Sequence, residues 1–160
     1  MDEQGTQTAL VTAVSDAAQL RRVTIAAAES VTAGHIASAL AIGENASEWF
    51  MGSVVAYRTT TKQRLLRVTE ERVITAECAA QMLLGVLDAT RADVGVSTTG
   101  AGGPDPEEDQ PPGTVFICAG TRDRHTVFEH HFDGPPAEVV SSATSAALEH
   151  LRLAVAEASA

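Results

Sequence analysis

The order of strand-like and helix-like segments is the feature that most constrains how this chain of 160 residues can fold. Segments with strand composition lie at 52–57 and 94–98, and stretches with the apolar spacing of helices separate them. Two more strands are predicted at 114–119 and 126–132, and the turn at 120–124 predicts that they form a hairpin. Parallel strands require crossover helices, whereas a hairpin joins antiparallel strands. The order therefore predicts an α/β fold with a mixed sheet and a C-terminal hairpin, covered by helices on both faces.

Apolar residues at helical spacing predict a helix over 7–21 and a long final helix that begins near Pro136. A short helix is predicted over 59–66, and Thr75 is a suitable N-cap for another. One segment is ambiguous. Residues 23–28 fit either a short buried strand or the start of an alanine-rich helix.

Length and composition indicate one globular domain. A chain of this length buries about 70% of the surface that its unfolded form exposes, so it needs neither a disulfide nor a metal to fold. Aromatic residues make up only 4% of the chain, so alanine and valine must fill much of the core and the elements must pack closely. No repeat or linker interrupts the pattern. We therefore expect a single domain over residues 1–160, with its core at about 7–155.

The net charge and the lack of targeting signals disfavour several classes of binding partner and of cellular location. A formal net charge of −10 disfavours binding to nucleic acid or to an anionic membrane surface. No stretch approaches the roughly 18 apolar residues of a membrane span, and the polar start at 1–4 is unlike a signal peptide. Cys78 and Cys118 lack the spacing of a zinc site and are expected to be buried thiols in a reducing compartment. We expect a cytoplasmic protein.

Small and polar residues gather at the ends of three predicted strands, which is where α/β sheets bind ligands. In the first segment, Ser30 and Thr32 lie where a helix begins. Free backbone N–H groups at such a place can bind an anion or a developing oxyanion. The alternative is that the two hydroxyl groups only cap the helix.

The second and third segments carry a lysine and a glycine-rich turn. A lysine with a lowered pKa can deprotonate a serine, and a tyrosine can relay the proton or orient the lysine, so Tyr57 and Lys62 are candidates. The alternative is a surface lysine. The turn at 99–104 has the glycines that let a backbone approach a ligand closely, yet it matches no P-loop or dinucleotide fingerprint. A plain turn is the alternative there.

Other polar clusters carry weaker signals. His130 and His131 are neighbours in a strand, so they point to opposite faces and would not share a metal ion. The acidic residues of 105–109 lack the spacing of a calcium loop and are expected to form a solvated face. His35 is placed either at the rim of the pocket or on the surface. We expect no metal site.

The three segments, in this order and spacing, resemble the CinA C-terminal domain family over about residues 7–155. The family pattern A-E-S-C-T-G-G stands here as residues 28–34, and G-x-V-V-x-Y-x-N-x-x-K stands at 52–62. The matching residues of that second pattern are Gly52, Val54, Val55, Tyr57 and Lys62. The third pattern, T-G-x-A-G-P followed by P-x-G-T-V, is matched by Thr99, Gly100, Gly103, Pro104, Pro111, Gly113, Thr114 and Val115.

This resemblance implies a three-layer α/β/α fold, in which 23–28 is a strand and a turn follows at Glu29–Ser30. It also implies hydrolysis of the carboxamide of nicotinamide mononucleotide, which gives nicotinate mononucleotide and ammonia, without a cofactor or metal. Ser30 would be the nucleophile, and Lys62 and Tyr57 would activate it. The residues implied to bind substrate are Glu29, Thr32, Gly34, Thr99, Gly100, Gly102 and Gly103. A pyridine nucleotide would be the small-molecule partner.

Several positions depart from the family pattern. The replacements within the three segments are Val31 for cysteine, Ala33 for glycine, Thr59 for asparagine and Gly102 for alanine. After the last strand, many amidases of the family read G-D-R with a further arginine one turn later. Here the chain has Pro136 and Val140 at the places of the two arginines. An arginine there would suit a substrate phosphate, and Arg58 and Arg22 are the nearest substitutes.

The missing arginines keep two further hypotheses open. One is a catalytically silent pocket protein that binds a nucleotide or a protein partner. The other is a partner-binding module that retains only a vestigial pocket. A homo-oligomer is compatible with each of these readings, and the sequence does not fix the number of subunits.

Overall fold

The computed structural model describes residues 2–159, and within that range the chain forms one sheet and six helices. The helices are α1 (Glu3–Arg21), α2 (His35–Ala41), α3 (Ala46–Trp49), α4 (Thr59–Leu66), α5 (Ala76–Thr90) and α6 (Pro136–Glu157). The strands are β1 (Ile25–Glu29), β2 (Phe50–Val55), β3 (Val94–Gly100), β4 (Thr114–Gly120) and β5 (His125–His131). The ends of the predicted domain, Met1 and Ala160, lie outside the described residues.

The sheet is mixed, as the order of segments predicts. Its strands lie in the order β2-β1-β3-β4-β5. β1 is parallel to both β2 and β3, whereas β4 is antiparallel to β3 and to β5. The predicted C-terminal hairpin is therefore confirmed as β4–β5. Glu29, at the end of β1, pairs with Val55 and Thr98, so β1, β2 and β3 end at the same edge of the sheet.

Helices cover both faces of the sheet and divide the core into two layers. Alternate residues of β1 face opposite sides, because side chains along a strand point alternately up and down. Ile25 and Ala27 pack with α1, α2 and α6, whereas Ala26 and Ala28 pack with α4 and α5. All five residues of β1 are buried. This confirms the α/β/α sandwich and explains why β1 has no polar alternation.

The small residues of the core allow close packing between α5 and its neighbours. A Cβ atom on Gly95 of β3 would lie 2.8 Å from Leu83 Cδ1 on α5. A Cβ atom on Gly85 of α5 would lie 2.2 Å from the carbonyl oxygen of Leu66, at the end of α4. The expectation of tightly packed elements is confirmed at both contacts.

Most predicted elements are present, with shifted ends. The ambiguous segment 23–28 contains a strand and is not the start of a helix. The first helix begins at Glu3, because Asp2 Oδ1 accepts a hydrogen bond of 2.8 Å from Gly5 N and caps it. The four-residue helix α3 was not predicted. No helix in residues 2–159 has the length and apolar character needed to cross a membrane.

Candidate functional site

The three predicted segments meet at the edge where β1, β2 and β3 end. Two backbone hydrogen bonds continue the sheet past the end of β1. Ser30 N donates to Thr98 O over 3.0 Å, and Ala56 N donates to Glu29 O over 2.8 Å. Ser30 therefore lies between the chain that leads into α4 and the chain that leads into the glycine-rich turn.

A cavity of about 350 Å³ opens at this edge. Its lining residues are Ser30, Tyr57, Arg58, Thr59, Thr60, Lys62, Val73, Thr99 and Glu107. It brings together the predicted serine, lysine and tyrosine, together with one residue of the predicted turn. Most of the lining side chains are polar or charged, which suits a polar ligand.

Lys62 is the only lysine of the chain, and it is buried rather than exposed. Only 1% of its surface is exposed, and Nζ donates a 2.9 Å hydrogen bond to the carbonyl oxygen of Tyr57. Burial lowers the pKa of Lys62 from its ordinary value, and the nearby Cys78, Glu107 and Glu108 partly oppose this shift. The alternative of a surface lysine is wrong. A buried amine with a lowered pKa can act as a base.

Ser30 lines the same cavity. The residue is 6% exposed, and within residues 2–159 its Oγ atom has no hydrogen-bond partner. It is therefore not bonded directly to Lys62 Nζ or to the hydroxyl of Tyr57. In the same part of the chain, the N–H groups of Val31 and Thr32 also lack acceptors. Free amides beside a serine are the groups that can stabilise an oxyanion.

Tyr57 contacts Lys62 through its backbone and not through its hydroxyl group. Its carbonyl oxygen accepts the hydrogen bond from Lys62, while the residue is 67% exposed at the mouth of the cavity. The hydroxyl forms no hydrogen bond with any of the described residues. The expected relay through this hydroxyl is thus not formed, and the side chain instead offers an aromatic surface to a ligand.

Glu29, predicted to bind substrate, is 0% exposed and its carboxylate is fully engaged inside the protein. Oε1 accepts hydrogen bonds from Thr32 Oγ1 (2.8 Å), Gly34 N (3.2 Å) and Ile36 N (2.8 Å). Oε2 accepts from Ala37 N (3.0 Å) and Ser53 Oγ (2.9 Å). Glu29 is not among the residues that line the cavity, and its contact with substrate stays a prediction. Its carboxylate instead ties the start of α2 to β1 and β2.

The same network engages the side chain of Thr32 and the amide of Gly34, and the contact of these two residues with substrate stays a prediction. Thr32 is fully buried, and its hydroxyl also contacts Thr98 Oγ1 at 2.8 Å. The amide of Gly34 is held by Glu29, and its φ of 97° is a conformation that favours glycine. Both residues shape the turn that carries Ser30. Helix α2 begins only at His35 because this turn precedes it.

The glycine-rich turn contributes less to the cavity than predicted. Thr99 lines it, with its hydroxyl donating a 2.6 Å hydrogen bond to Val73 O. Gly100 is required by strand pairing, since a Cβ atom there would lie 2.7 Å from Thr114 O. Among the described residues, Gly100, Gly102 and Gly103 are not part of the cavity lining. Their predicted contact with substrate is not supported.

The acidic loop, predicted to be a solvated face, holds part of the site in place. The Glu108 carboxylate accepts hydrogen bonds of 2.7 Å from Val73 N and 2.9 Å from Ile74 N. Arg72 and Asp109 form an exposed ion pair of 3.0 Å beside them. This anchoring places Glu107 and Val73 at the cavity, and sequence reasoning missed both. No local sequence pattern predicts these two positions, because the hydrogen bonds that place them join distant parts of the chain.

A larger cavity, of about 700 Å³, lies at the other end of the sheet, where the β4–β5 hairpin meets the end of α6. It contains none of the predicted site residues. Size alone does not identify a site, and the smaller cavity is the candidate site because the buried serine and lysine both line it. Within residues 2–159, no group of three or more His, Cys, Asp or Glu side chains is arranged to hold a metal ion.

Solved structures share this fold over almost the whole chain. A CinA superfamily protein from Klebsiella pneumoniae superposes with a TM-score of 0.90 and 27% identity, covering 95% of this chain and 99% of that one. A CinA superfamily protein from Escherichia coli gives a TM-score of 0.89 and 28% identity, covering 96% of this chain and 93% of that one.

Sequence relatives are longer proteins. The competence-damage inducible protein of Bacillus pumilus is 39% identical over 150 residues, which is 91% of this chain and 36% of that protein. The protein of the same name from Bacillus subtilis is 39% identical over 132 residues, 79% of this chain and 32% of that protein. The chain thus spans about a third of the length of these curated relatives. Because residues 7–155 match the CinA C-terminal domain, this chain belongs to the CinA C-terminal domain family.

Proposed function

We propose that this protein is an amidohydrolase that converts nicotinamide mononucleotide to nicotinate mononucleotide and ammonia. The observation that carries the proposal is that the only lysine of the chain and a buried serine line one cavity. Amide hydrolysis needs a nucleophile, a base to activate it and donors for the oxyanion. The cavity offers the first two, and the amides of Val31 and Thr32, which directly follow Ser30, are candidates for the third. Family membership supports the same chemistry.

In the first half-reaction, neutral Lys62 accepts the proton of the Ser30 hydroxyl, and Ser30 Oγ attacks the carbon of the carboxamide. The burial that lowers the pKa of Lys62 favours the neutral amine that this step requires. Ser30 and Lys62 are not hydrogen-bonded directly without substrate. Contacts of this kind are often long in the free enzyme and shorten in the complex. The free amides of Val31 and Thr32 would hold the oxyanion.

Later in the same half-reaction, the tetrahedral intermediate collapses and its C–N bond breaks. Protonated Lys62 returns its proton to the leaving nitrogen, which departs as ammonia and leaves an ester on Ser30. In the second half-reaction, a water molecule that Lys62 deprotonates attacks the ester carbon. Breakage of the bond to Ser30 Oγ releases the carboxylic acid, and Lys62 returns its proton to Ser30. The acid then ionises to the carboxylate, and ammonia takes up that proton.

The exposed ring of Tyr57 lies at the cavity mouth, where it would stack on the pyridine ring of the substrate. This role replaces the proton relay expected from the sequence. The proposal also includes a cytoplasmic location and the absence of nucleic-acid and membrane partners, consistent with the net charge of −10 and the two free, buried cysteines. A homo-oligomer remains compatible with it.

A catalytically silent binding protein is the second candidate. Two observations favour it: no hydrogen bond joins the side chains of Ser30 and Lys62, and Lys62 donates its hydrogen bond to a backbone carbonyl. A silent protein would bind a nucleotide in the cavity without turning it over. Such a protein would show a thermal shift with a nucleotide and no release of ammonia.

Ammonia release from nicotinamide mononucleotide separates these candidates, with nicotinate mononucleotide as the control. We expect turnover by the natural protein and a loss of about 10³-fold or more in Ser30→Ala, because the nucleophile is removed. Ser38→Ala, which changes an exposed serine of α2, serves as the matched control and should keep full activity. If the natural protein released ammonia from none of a panel of pyridine carboxamides, the proposal would be abandoned in favour of the silent protein.

A further inference from the structure

The strand β5 lies at one end of the sheet, so one side of its backbone faces no other strand. Thr121 N donates to Arg124 O and Phe132 N donates to Gly113 O, each over 2.9 Å, so bonded pairs lie just before and just after β5. Bonded and non-bonded pairs alternate along an antiparallel ladder. The backbone groups that point away from β4 are therefore those of His125, Val127, Glu129 and His131. Within residues 2–159 these groups have no hydrogen-bond partner.

β5 lacks the features that keep edge strands from pairing. It contains neither lysine nor proline, and its seven residues pair one to one with β4 without a bulge. The other edge strand, β2, is different. Its register with β1 shifts between Ile25 and Ala26, and Gly52 has a φ of 126°, so that edge is irregular. β5 is therefore the edge that can accept another strand.

The charges that flank β5 favour a second copy of the chain as the added strand. Arg122 and Arg124 precede β5, whereas Asp133 and Glu138 follow it. Antiparallel pairing of two β5 strands places the start of one beside the end of the other, so the arginines of each copy approach the acids of the other. Arg122 already pairs with Asp88. Arg124 and the two acids form no ion pair within residues 2–159, so they are available to a second copy.

Symmetry and side-chain chemistry select one register for this pairing. With a two-fold axis at Phe128, all seven residues of β5 overlap, and Val127 faces Glu129 of the second copy. The two Phe128 rings then form a cross-strand aromatic pair. An axis at Glu129 would instead put two carboxylates opposite each other, which is unfavourable. Phe128 and the 45%-exposed Leu153 line the larger cavity beside β5, and the second copy would cover this apolar surface.

We propose that two copies of this chain pair through β5 in antiparallel orientation, so that their two five-stranded sheets form one continuous sheet across a two-fold axis. The same surface of each copy makes the contact, as a two-fold symmetric dimer requires. This inference does not depend on the proposed amidase activity, because β5 contributes no residue to the cavity that Ser30 and Lys62 line.

Light scattering coupled to size-exclusion chromatography gives the mass of the natural protein, which should be twice the 16.7 kDa of one chain. Glu129→Pro removes one outward N–H group and leaves the ladder with β4 intact, because proline has no amide hydrogen. The symmetry repeats this loss in the second copy, so the dissociation constant of the dimer should rise about 30-fold or more. Glu129→Ala removes the same exposed side chain but keeps the amide, and it should change that constant by less than about threefold.

A disulfide tests the register without proline. In the proposed register Thr126 faces His130 of the second copy in a non-bonded pair, whose Cα atoms lie about 4.5 Å apart and within reach of a disulfide. Oxidation of the double variant Thr126→Cys/His130→Cys should therefore give a covalent dimer on a non-reducing gel. Thr126→Cys alone is the matched control, because the two copies of position 126 lie roughly 13 Å apart, which is too far for a disulfide.

Thermal melting checks that each variant folds, and the disulfide decides the question if Glu129→Pro does not fold. A monomeric natural protein would overturn the inference. So would a dimer that Glu129→Pro leaves intact, or one that Glu129→Ala weakens equally, since the contact would then lie elsewhere or depend on the side chain. A covalent dimer that forms equally with Thr126→Cys alone, or not at all with the double variant, would refute the register.

Discussion

At the scale of single residues, Lys62 determines what the cavity can do. It is the only lysine of the chain, so a protein labelled with ¹³C-lysine gives one side-chain signal whose pH titration reports its pKa directly. We expect that pKa to lie below the ordinary 10.5, because burial disfavours the charged ammonium. Under the proposed mechanism, activity rises with pH through this same titration, since the neutral amine is the active base.

Glu107 provides a test of the charges around Lys62. Its carboxylate raises the pKa of Lys62, so Glu107→Gln should move the titration of the single lysine signal to lower pH. Glu71→Gln removes an exposed carboxylate that is not among the groups perturbing Lys62, and it should leave the titration in place. A shift to higher pH in Glu107→Gln would contradict the assigned electrostatics. This measurement does not depend on activity.

The Glu29 carboxylate holds the turn that carries Ser30, and its replacement should reduce the free energy of unfolding. In Glu29→Gln an NH₂ group would face hydrogen-bond donors such as Ala37 N or Ile36 N, and a buried network would be left unsatisfied. We expect a loss of about 2–4 kcal/mol in the free energy of unfolding, measured by urea denaturation. Glu48→Gln, on an exposed position of α3, should change it by less than about 0.5 kcal/mol. Unchanged stability in Glu29→Gln would mean that the carboxylate has another role.

At the scale of elements, the close approach of α5 to the end of α4 determines how Lys62 is covered. Helix propensity alone predicts that Gly85→Ala stabilises the protein by about 1 kcal/mol. The added Cβ atom would, however, lie 2.2 Å from Leu66 O, so the two helices must move apart. We expect a net loss of about 1–3 kcal/mol in urea denaturation.

Ala89→Gly, at an exposed position of the same helix, measures propensity without packing and should cost about 1 kcal/mol. Stabilisation by Gly85→Ala would show that the two helices are not in contact as described.

The sequence predicts elements well where the signal is local. The short helix predicted over 59–66 is α4 with both of its ends, and Thr75 is confirmed as a cap because its hydroxyl accepts a hydrogen bond from Cys78 N. The burial of Lys62 has no local signal, since it results from α5 and the acidic loop. Glu107 was missed for the same reason, because Glu108 fixes its loop to backbone amides in a distant part of the chain.

At the scale of the whole molecule, two histidines join the edge strand β5 to α6. The Nε2 atoms of His130 and His150 are 2.9 Å apart, and Phe128 stacks on His150. Burial lowers the pKa of both histidines from 6.5, and each is further lowered by a neighbouring histidine, His131 for His130 and His130 for His150. Glu149 opposes the shift of His150.

This pair predicts that acid destabilises the fold. Because the pKa values are lowered in the folded state, the unfolded chain binds protons first as the pH falls below about 6.5. Stability from this pair is therefore present at neutral pH and is lost towards lower pH. The loss between pH 7.5 and pH 5 in urea denaturation should be smaller in His150→Leu than in the natural protein. Equal losses in the two proteins would contradict the role of the pair.

In the proposed function the buried lysine and serine form an amide-hydrolysing site, and measurement of kcat for ammonia release in Lys62→Met tests this claim. Methionine fills the space of the lysine stem and lacks the amine. We predict that Lys62→Met still binds nicotinamide mononucleotide but loses about 10²- to 10⁴-fold in kcat, the usual contribution of a general base. Equal turnover by Lys62→Met and the natural protein would contradict the claim.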